Sequence, residues 1–195
     1  MRRFFLGVLC VTALAVALTA ASSAADLEAA KKKAELCAGC HGENGISQME
    51  NVPSLAGQPD QFIQWQLVFF RSGTRKNEQM QAIVEQLDNE DIRNLGAYFA
   101  SLTPPKATKD DDPDLSKKGA QAAIGRRCAN CHTDSFAGTG AVARIADQRE
   151  EYLLKALHDY KSSTRSGGGM AAMADVAYPL SEEEITALAH YLAHL

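Results

Sequence analysis

The amino-acid sequence predicts an all-α protein made of two tandem domains that are related by internal duplication. Apolar residues recur at helical spacing in both halves of the 195-residue chain, and no stretch alternates as a substantial β-strand would. A short cysteine–histidine motif at residues 37–41 returns at 128–132, and the segments that follow it return in the same order. Repetition of this kind is typical of a duplicated structural unit. We therefore divide the chain into residues 1–25, 26–103, 104–113 and 114–195.

Residues 1–25 have the composition of a cleavable signal peptide. Arg2 and Arg3 precede an apolar run, and small residues follow it up to Ala25, which is the order found in secretory signals. The arginine pair also resembles a twin-arginine signal, although its usual flanking residues are missing. An uncleaved anchor is the alternative, but the apolar run is barely as long as the ~20 residues that a bilayer requires. We expect cleavage after Ala24 or Ala25 and a periplasmic mature protein.

The charge of the chain argues against nucleic acid as a partner. The formal net charge is −4, and removal of Arg2 and Arg3 with the signal makes it more negative. Binding to phosphate backbones depends on clustered lysine and arginine, and the sequence has no basic stripe. No segment after residue 26 is long and apolar enough to cross a membrane. A membrane span is therefore not expected in the mature protein.

Helices are predicted throughout the domain of residues 26–103. Residues 27–36 are rich in Ala, Glu and Lys and predict a helix that leads into the first cysteine motif. Apolar residues at helical spacing predict a second helix over 60–71. The third helix begins after a capping signal at Asp88 and is stopped by Thr103 and the two prolines that follow it.

The domain of residues 114–195 repeats these helices after a linker at 104–113, which is rich in Pro, Thr and Asp. Ser116 is a candidate cap for the first helix, apolar spacing predicts the second over 149–161, and a capping box at Ser181 begins the last. Each domain has about 80 residues, a size at which an apolar core alone is only marginally stabilising. A bound cofactor is therefore expected to stabilise each core.

The two cysteine motifs predict covalent attachment of haem. The sequence C-x-x-C-H is the attachment signature of c-type haem, because two thiols on one turn can bond the porphyrin vinyl groups and the histidine can bind the iron. A thioredoxin-like redox pair and half of a zinc site are the rival interpretations. Two copies in a duplicated, exported, helical chain favour two covalently bound haem c groups. The predicted attachment residues are Cys37, Cys40, Cys128 and Cys131, and the predicted histidine ligands of the iron are His41 and His132.

A methionine in each repeat is the candidate for the second ligand of each iron. Met80 and Met173 occupy matching positions of the two copies, shortly before the last helix of each domain. A lone methionine is usually a core residue, but the matched placement favours ligands, and a thioether opposite histidine favours the ferrous state. Met170 is the serious alternative in the second domain. Met49 has no matching residue and lies too close in sequence to His41.

Several further residues have expected roles beside these motifs. Arg75 and Arg165 recur at one position of the repeat and are candidate partners of haem propionates. Trp65 is expected to be a core aromatic residue. Histidines without a counterpart in the first copy are expected to be surface or packing residues; they are His158, His190 and His194.

The sequence resembles the cytochrome c4 family of dihaem electron carriers over essentially the whole mature chain. The resemblance lies in both C-x-x-C-H motifs, in residues 53–58 and in residues 80–92. It implies two class I cytochrome c folds with His/Met-ligated iron, packed about a pseudo-twofold axis. Members of the family carry electrons from a quinol-oxidising complex to a terminal oxidase, some while loosely attached to the membrane. By this resemblance such redox proteins are the expected partners, and no small-molecule substrate is expected.

A dihaem cytochrome subunit or a small dihaem enzyme, of the sulfur-compound dehydrogenase or peroxidase type, is the alternative function. Catalytic haem generally needs an open axial position at which a substrate can reach the iron. Methionines in both ligand positions argue against an open position, and the small domains leave little chain for a substrate pocket. We therefore expect an electron carrier rather than an enzyme.

The second domain departs from the family pattern at two positions. Ala143 stands where the first domain has Pro53, and Asp147 stands where it has Gly57. In the family the proline carbonyl holds the ligating histidine, and the resemblance implies the same role for the carbonyl of Ala143. We expect a looser loop in the second domain and unequal reduction potentials for the two haems.

Overall fold

The computed structural model describes residues 24–195, so nearly all of the predicted signal peptide lies outside the described residues. The described chain is all-α, as predicted, with ten α-helices, one 3-10 turn and a single isolated β-bridge. Within this range no helix has the length and apolar character that crossing a membrane requires.

Five helices build the first half of the molecule. Their bounds are Leu27–Lys33 (α1), Glu35–His41 (α2), Asp60–Arg71 (α3), Glu78–Val84 (α4) and Asn89–Ser101 (α5). Helix α5 packs against both α1 and α3 and buries Ile92, Leu95 and Phe99 in the core of this half. Asp88 caps α5 in a capping box with Asp91, so the predicted start of this helix is confirmed.

Two features of the first half differ from the prediction. The helix predicted over 27–36 is two short helices that meet at Ala34, whose side chain packs in the core. Helix α4, which carries Met80, was not predicted. It begins at Glu78, after the N-cap residue Asn77, whose side chain accepts a hydrogen bond from the backbone N–H of Met80 at 2.9 Å. A local polar cap thus determines where this short helix starts.

The second half repeats this order of helices and adds a 3-10 turn. Its elements are Pro113–Gly125 (α6), Ala129–His132 (α7), Glu150–Lys161 (α8), the 3-10 turn Gly168–Met170, Ala171–Ala177 (α9) and Glu182–Ala193 (α10). Helix α10 packs against α6 and α8. At the crossing of α6 and α10 a Cβ on Gly119 would lie 2.1 Å from the carbonyl oxygen of Ala187, so the close approach of the two backbones requires glycine.

The start of α6 shows that the predicted cap was wrong. Asp112 caps the helix, because its side chain accepts a hydrogen bond from the backbone N–H of Leu115. Pro113 follows as the first helical residue, where its missing N–H costs nothing. Ser116 therefore lies inside the helix. The capping box at Ser181 is present as predicted.

Two buried glutamines join the halves in a reciprocal way. Gln148 donates from Nε2 to the carbonyl of Ser54 at 2.9 Å and accepts at Oε1 from the N–H of Ser54 at 2.8 Å. Gln58 donates to the carbonyl of Arg144 at 2.8 Å and accepts from its N–H at 3.0 Å. Each glutamine thus pairs with the loop of the other half, as an approximate twofold axis between the halves requires.

Candidate cofactor site

An apolar cavity of about 410 Å³ lies between the two halves and reaches both cysteine motifs. Aliphatic and aromatic side chains of both halves line it, among them Phe70, Leu95, Leu153 and Leu188. Its volume is in the range found for small-molecule and cofactor sites. The predicted site residues that line it are Cys37, Cys40, His41, Met80, Cys128, Cys131, His132 and Met173.

His41 ends helix α2 and is held by a backbone hydrogen bond. Its Nδ1 lies 2.8 Å from the carbonyl oxygen of Pro53. Because a carbonyl can only accept, Nδ1 carries the proton and Nε2 keeps its lone pair. Burial lowers the pKa of His41 below its usual value, although the hydrogen bond to Pro53 opposes this. A buried, neutral imidazole with Nε2 free is the form that binds a metal.

His132 has the same arrangement in the second half. Its Nδ1 lies 2.8 Å from the carbonyl oxygen of Ala143, and burial again lowers the pKa of the imidazole. The backbone carbonyl therefore serves as acceptor whether or not the residue that supplies it is proline. This hydrogen bond shows no loosening of the second loop relative to that of His41.

Within residues 24–195 no disulfide joins the cysteines of either motif. Burial raises the pKa of Cys37 to about 11, with a further increase from the neighbouring Cys40, and burial also raises the pKa of Cys128. Thioredoxin-like pairs depend on a lowered pKa of the first thiol, so Cys37 and Cys128 lack the electrostatics of such a pair. Among residues 24–195, neither motif belongs to a cluster of three metal-ligating side chains, as a zinc site would.

The structure separates the candidate methionines by their position at the cavity. Met80 on α4 and Met173 on α9 are half-buried and line it. Met170 is only 3% exposed and is not among the lining residues, and its sulfur lies 3.5 Å from Nε of Arg165. Met49 reaches the cavity from the surface, with 47% of the residue exposed.

Two arginines form a polar cluster in the cavity wall where the halves meet. Both donate to Oε1 of Gln66, Arg75 at 2.7 Å and Arg165 at 2.9 Å. Both also donate to the phenol oxygen of Tyr152, at 3.3 and 3.2 Å respectively. The ion pairs found among residues 24–195 include neither arginine. Two positive charges that form no ion pair with a carboxylate fit a site that receives an anion, such as a haem propionate.

The phenol of Tyr152 is unusually acidic in this cluster. Burial alone would raise its pKa, but the charges of Arg165 and Arg75, and the hydrogen bonds that they donate, lower it to about 7. Sequence reasoning missed both Tyr152 and Gln66. Neither is repeated at the matching position of the other half, so comparison of the two copies gave no signal.

Trp65 is not the core residue that the sequence predicts. It is 49% exposed and stacks on Phe69 with ring centroids 5.6 Å apart. The buried face of α3 consists of Ile63, Gln66 and Phe70, which are three and four positions apart. A residue at position 65 therefore falls on the outer face of the helix.

Two family models match the chain, one in each half. Residues 24–99 match the model described as Cytochrome C oxidase, cbb3-type, subunit III. Residues 116–195 match the model described as Cytochrome c. Each matched range contains one of the two C-x-x-C-H motifs.

Proteins of similar length match both halves together. The chain is 31% identical to cytochrome c4 of Pseudomonas aeruginosa over 185 residues, which cover 90% of this chain and 91% of the relative. It is 30% identical to the thiosulfate dehydrogenase electron acceptor of Thiomonas intermedia over 180 residues, 85% of this chain and 81% of that one. The crystal structure of reduced recombinant cytochrome c4 from Pseudomonas stutzeri matches with a TM-score of 0.78 at 29% identity, covering 88% of this chain and 100% of the other.

Proposed function

This chain belongs to the cytochrome c4 family of dihaem electron carriers, and we propose that it carries electrons from a quinol-oxidising complex to a terminal oxidase of a respiratory chain. The observation that supports this most is the shared cavity, to which each half contributes two thiols, a neutral histidine and a methionine. A haem iron whose axial positions are both filled by side chains exchanges electrons but leaves no position for a substrate.

The proposed attachment follows the two C-x-x-C-H motifs. Nε2 of His41 would bind the first iron and Nε2 of His132 the second, because the other ring nitrogen of each histidine is held by a carbonyl. Covalent attachment would use the thiols that line the cavity beside each histidine. These are Cys37 and Cys40 in the first half, and Cys128 and Cys131 in the second.

We propose Met80 as the second ligand of the first iron and Met173 as that of the second. Both thioethers line the cavity on short helices at matching places of the two halves. Met170 is the weaker candidate, because its sulfur contacts Arg165 and it packs in the core of the second half.

The residues around the cavity would orient and tune the bound groups. When bound, each haem supplies a one-electron iron couple whose potential depends on its ligands and surroundings. The carbonyls of Pro53 and Ala143 fix the imidazole rings and increase their basicity. Arg75 and Arg165 would bind the propionates, and their shared contacts with Gln66 tie the two anion sites together.

The relatives support a second candidate partner. The chain is 30% identical to a protein named as the electron acceptor of thiosulfate dehydrogenase, so a sulfur-compound dehydrogenase is the second candidate electron donor. This candidate uses the same two sites and differs only in the donor. A small dihaem enzyme would instead need an open iron position, which the two cavity-lining methionines disfavour.

We propose that the mature protein consists of domains 26–103 and 114–195, joined by a linker at 104–113. The ranges matched by the two family models support these boundaries. The composition of residues 1–25 supports export to the periplasm and removal of the signal.

Visible spectra of the purified holoprotein in both oxidation states, with haem counted per chain, test the ligand assignment. We expect two haems, low-spin bands, the weak long-wavelength sulfur-to-iron band, and no change when carbon monoxide is added. Met173→Leu should lose about half of the sulfur-to-iron band and open one iron to carbon monoxide. Met170→Leu is the matched control and should keep both ligands. Loss of the band in Met170→Leu, with retention in Met173→Leu, would reverse the assignment.

Reduction kinetics with purified donors distinguish the two candidate partners. The holoprotein is mixed in turn with a reduced quinol-oxidising complex and with a thiosulfate dehydrogenase supplied with thiosulfate. Faster reduction by the quinol-oxidising complex is expected. Faster reduction by the dehydrogenase would assign the chain to sulfur-compound oxidation without changing its role as a carrier.

A further inference from the structure

The last helix of the second half carries two histidines away from the haem motifs. His190 and His194 lie on successive turns of the C-terminal end of α10, with ring centroids 4.4 Å apart. Side chains four positions apart share one face of a helix. The matching residues of the first half are Ala97 and Ser101, so this pair is a feature of the second half alone.

The connection between the halves brings carboxylates to the same place. Asp110 Oδ1 lies 3.1 Å from Nε2 of His190, and Asp111 Oδ1 lies 4.0 Å from the same nitrogen. Ligand atoms of Asp111, His190 and His194 all lie within 4.8 Å of one another. We call these residues, Asp110, Asp111, His190 and His194, the linker cluster.

Both imidazoles are oriented as metal ligands commonly are. Nδ1 of His194 lies 2.8 Å from the carbonyl oxygen of His190, which can only accept, so Nε2 of His194 keeps its lone pair. Nδ1 of His190 lies 3.2 Å from Oε2 of Glu150. A carboxylate or carbonyl on one ring nitrogen, with the other nitrogen turned to the metal, is the usual outer-shell arrangement of a histidine ligand.

We propose that the linker cluster binds one zinc ion, through Nε2 of His190, Nε2 of His194 and carboxylate oxygens of Asp110 and Asp111. Two imidazoles with carboxylates form a donor set that Zn²⁺ accepts in tetrahedral geometry. The ion takes the place of the Nε2 proton of His190, while Nδ1–H continues to donate to Glu150.

The cluster can close around an ion with little movement. Ligands of a tetrahedral zinc ion lie about 3.4 Å from one another, since each is about 2.1 Å from the metal. His190 is 3% exposed and fixed by its neighbours, whereas the side chain of Asp111 is 86% exposed and free to rotate inwards. A bound ion would fasten the connection between the halves to the last helix of the second half.

Zinc titration of the holoprotein tests the site. Isothermal titration of the oxidised, chelator-treated holoprotein with Zn²⁺ should show one tight site per chain. His194→Gln and Asp111→Asn should each weaken this site by about tenfold or more. Neither change should alter the haem spectrum, and Zn²⁺ should raise the Tm of the wild type more than that of either variant.

His158→Gln provides the matched control. His158 is an exposed histidine of the same half, and its Nδ1 lies 3.6 Å from a carboxylate oxygen of Glu182, but it is remote in sequence from the linker cluster. This variant should bind Zn²⁺ as the wild type does. The proposal is overturned if the wild type binds Zn²⁺ no more tightly than His194→Gln, or if His158→Gln loses as much affinity as the cluster variants.

Discussion

The two halves hold their histidines with equal geometry but with different loop residues. The acceptor for His41 is the carbonyl of Pro53, and that for His132 is the carbonyl of Ala143, both at 2.8 Å. The departure from proline therefore leaves the hydrogen bond unchanged. What the site requires at this position is a backbone carbonyl in a fixed place, and more than one side chain allows it.

The backbone also keeps a similar conformation at the second loop difference, where Asp147 stands in place of Gly57. Gly57 has φ 70° and Asp147 has φ 57°, a left-handed conformation that aspartate tolerates better than most residues. Asp147 is held there by an ion pair with Arg144 at 2.8 Å. At Gly57 a Cβ would lie 2.7 Å from Cβ of Pro104. The start of the linker therefore requires glycine in the first half only.

Substitution of the glutamines that join the halves should cause the largest losses of unfolding free energy, and the two losses should differ. Gln148→Ala removes both hydrogen bonds from the buried backbone of Ser54 and should cost about 3 kcal/mol of unfolding free energy. Gln58→Ala should cost about 2 kcal/mol, because water can reach the partly exposed backbone of Arg144.

Urea unfolding of the holoproteins measures this difference. Gln86→Ala is the control, since the amide of Gln86 is exposed and bonds only within its own chain segment at Ala82, and it should change stability by less than about 0.5 kcal/mol. A larger loss in Gln58→Ala than in Gln148→Ala would contradict the difference in burial.

Substitution at the left-handed loop position should have the next largest effect. Gly57→Ala forces a Cβ into a left-handed conformation and against Pro104, which should cost about 2 kcal/mol. Asp147→Asn keeps a residue type that adopts this conformation and a side-chain oxygen that can still accept a hydrogen bond from Arg144, so it should cost about 1 kcal/mol. Thermal unfolding of both holoproteins measures the two changes. If Gly57→Ala and Asp147→Asn lose equal amounts of unfolding free energy, the linker can move away from position 57.

The arginine cluster makes the two halves unequal. Arg75 and Arg165 occupy matching positions of the repeat, but the acceptors that they share, Gln66 and Tyr152, are not repeated in the other half. Without an anion on Arg75 and Arg165, the pKa of Tyr152 is about 7. In the holoprotein, propionates paired with the arginines should cancel their field and return the phenol towards its usual pKa of about 10. We therefore expect no phenolate near neutral pH.

The ultraviolet absorbance of wild type minus that of Tyr152→Phe, followed from pH 6 to 10, measures the titration of Tyr152. A phenolate that forms near pH 7 would show that the arginines lack anionic partners. In that case the folded protein would release the proton before the unfolded chain does. The stability of the wild type relative to Tyr152→Phe would then increase as the pH rises above about 7, and would be lost as the pH falls through that value.

The sequence predicts the parts of this molecule that depend on local chemistry. The C-x-x-C-H motifs are contiguous, and the capping boxes at Asp88 and Ser181 involve neighbouring residues, so both are readable from the chain. The duplication is visible because the spacing between motif and methionine is nearly the same in each copy. Helix α4 was missed because its seven residues are too few to show a helical period.

Features that depend on distant contacts were not predictable. Gln58 pairs with the backbone of Arg144, and Gln148 pairs with the backbone of Ser54, each across the two halves. Nothing in the local sequence of either glutamine indicates these partners. His190 was expected to be a surface or packing residue, and it is buried because the linker returns over the end of α10. Trp65 was placed in the core by residue type, whereas its position on α3 faces solvent.

Introducing proline at position 143 should have the smallest effect of these changes. No described hydrogen bond uses the N–H of Ala143, so Ala143→Pro should change unfolding free energy by less than about 1 kcal/mol.

A redox titration of the wild type should resolve two potentials, since the methionine segments and arginine partners differ between the halves. Ala143→Pro should leave their difference unchanged, because the carbonyl already holds His132 as Pro53 holds His41. A single potential in the wild type would contradict the inequality, and a shift of one potential in Ala143→Pro would show that the loop residue itself sets it.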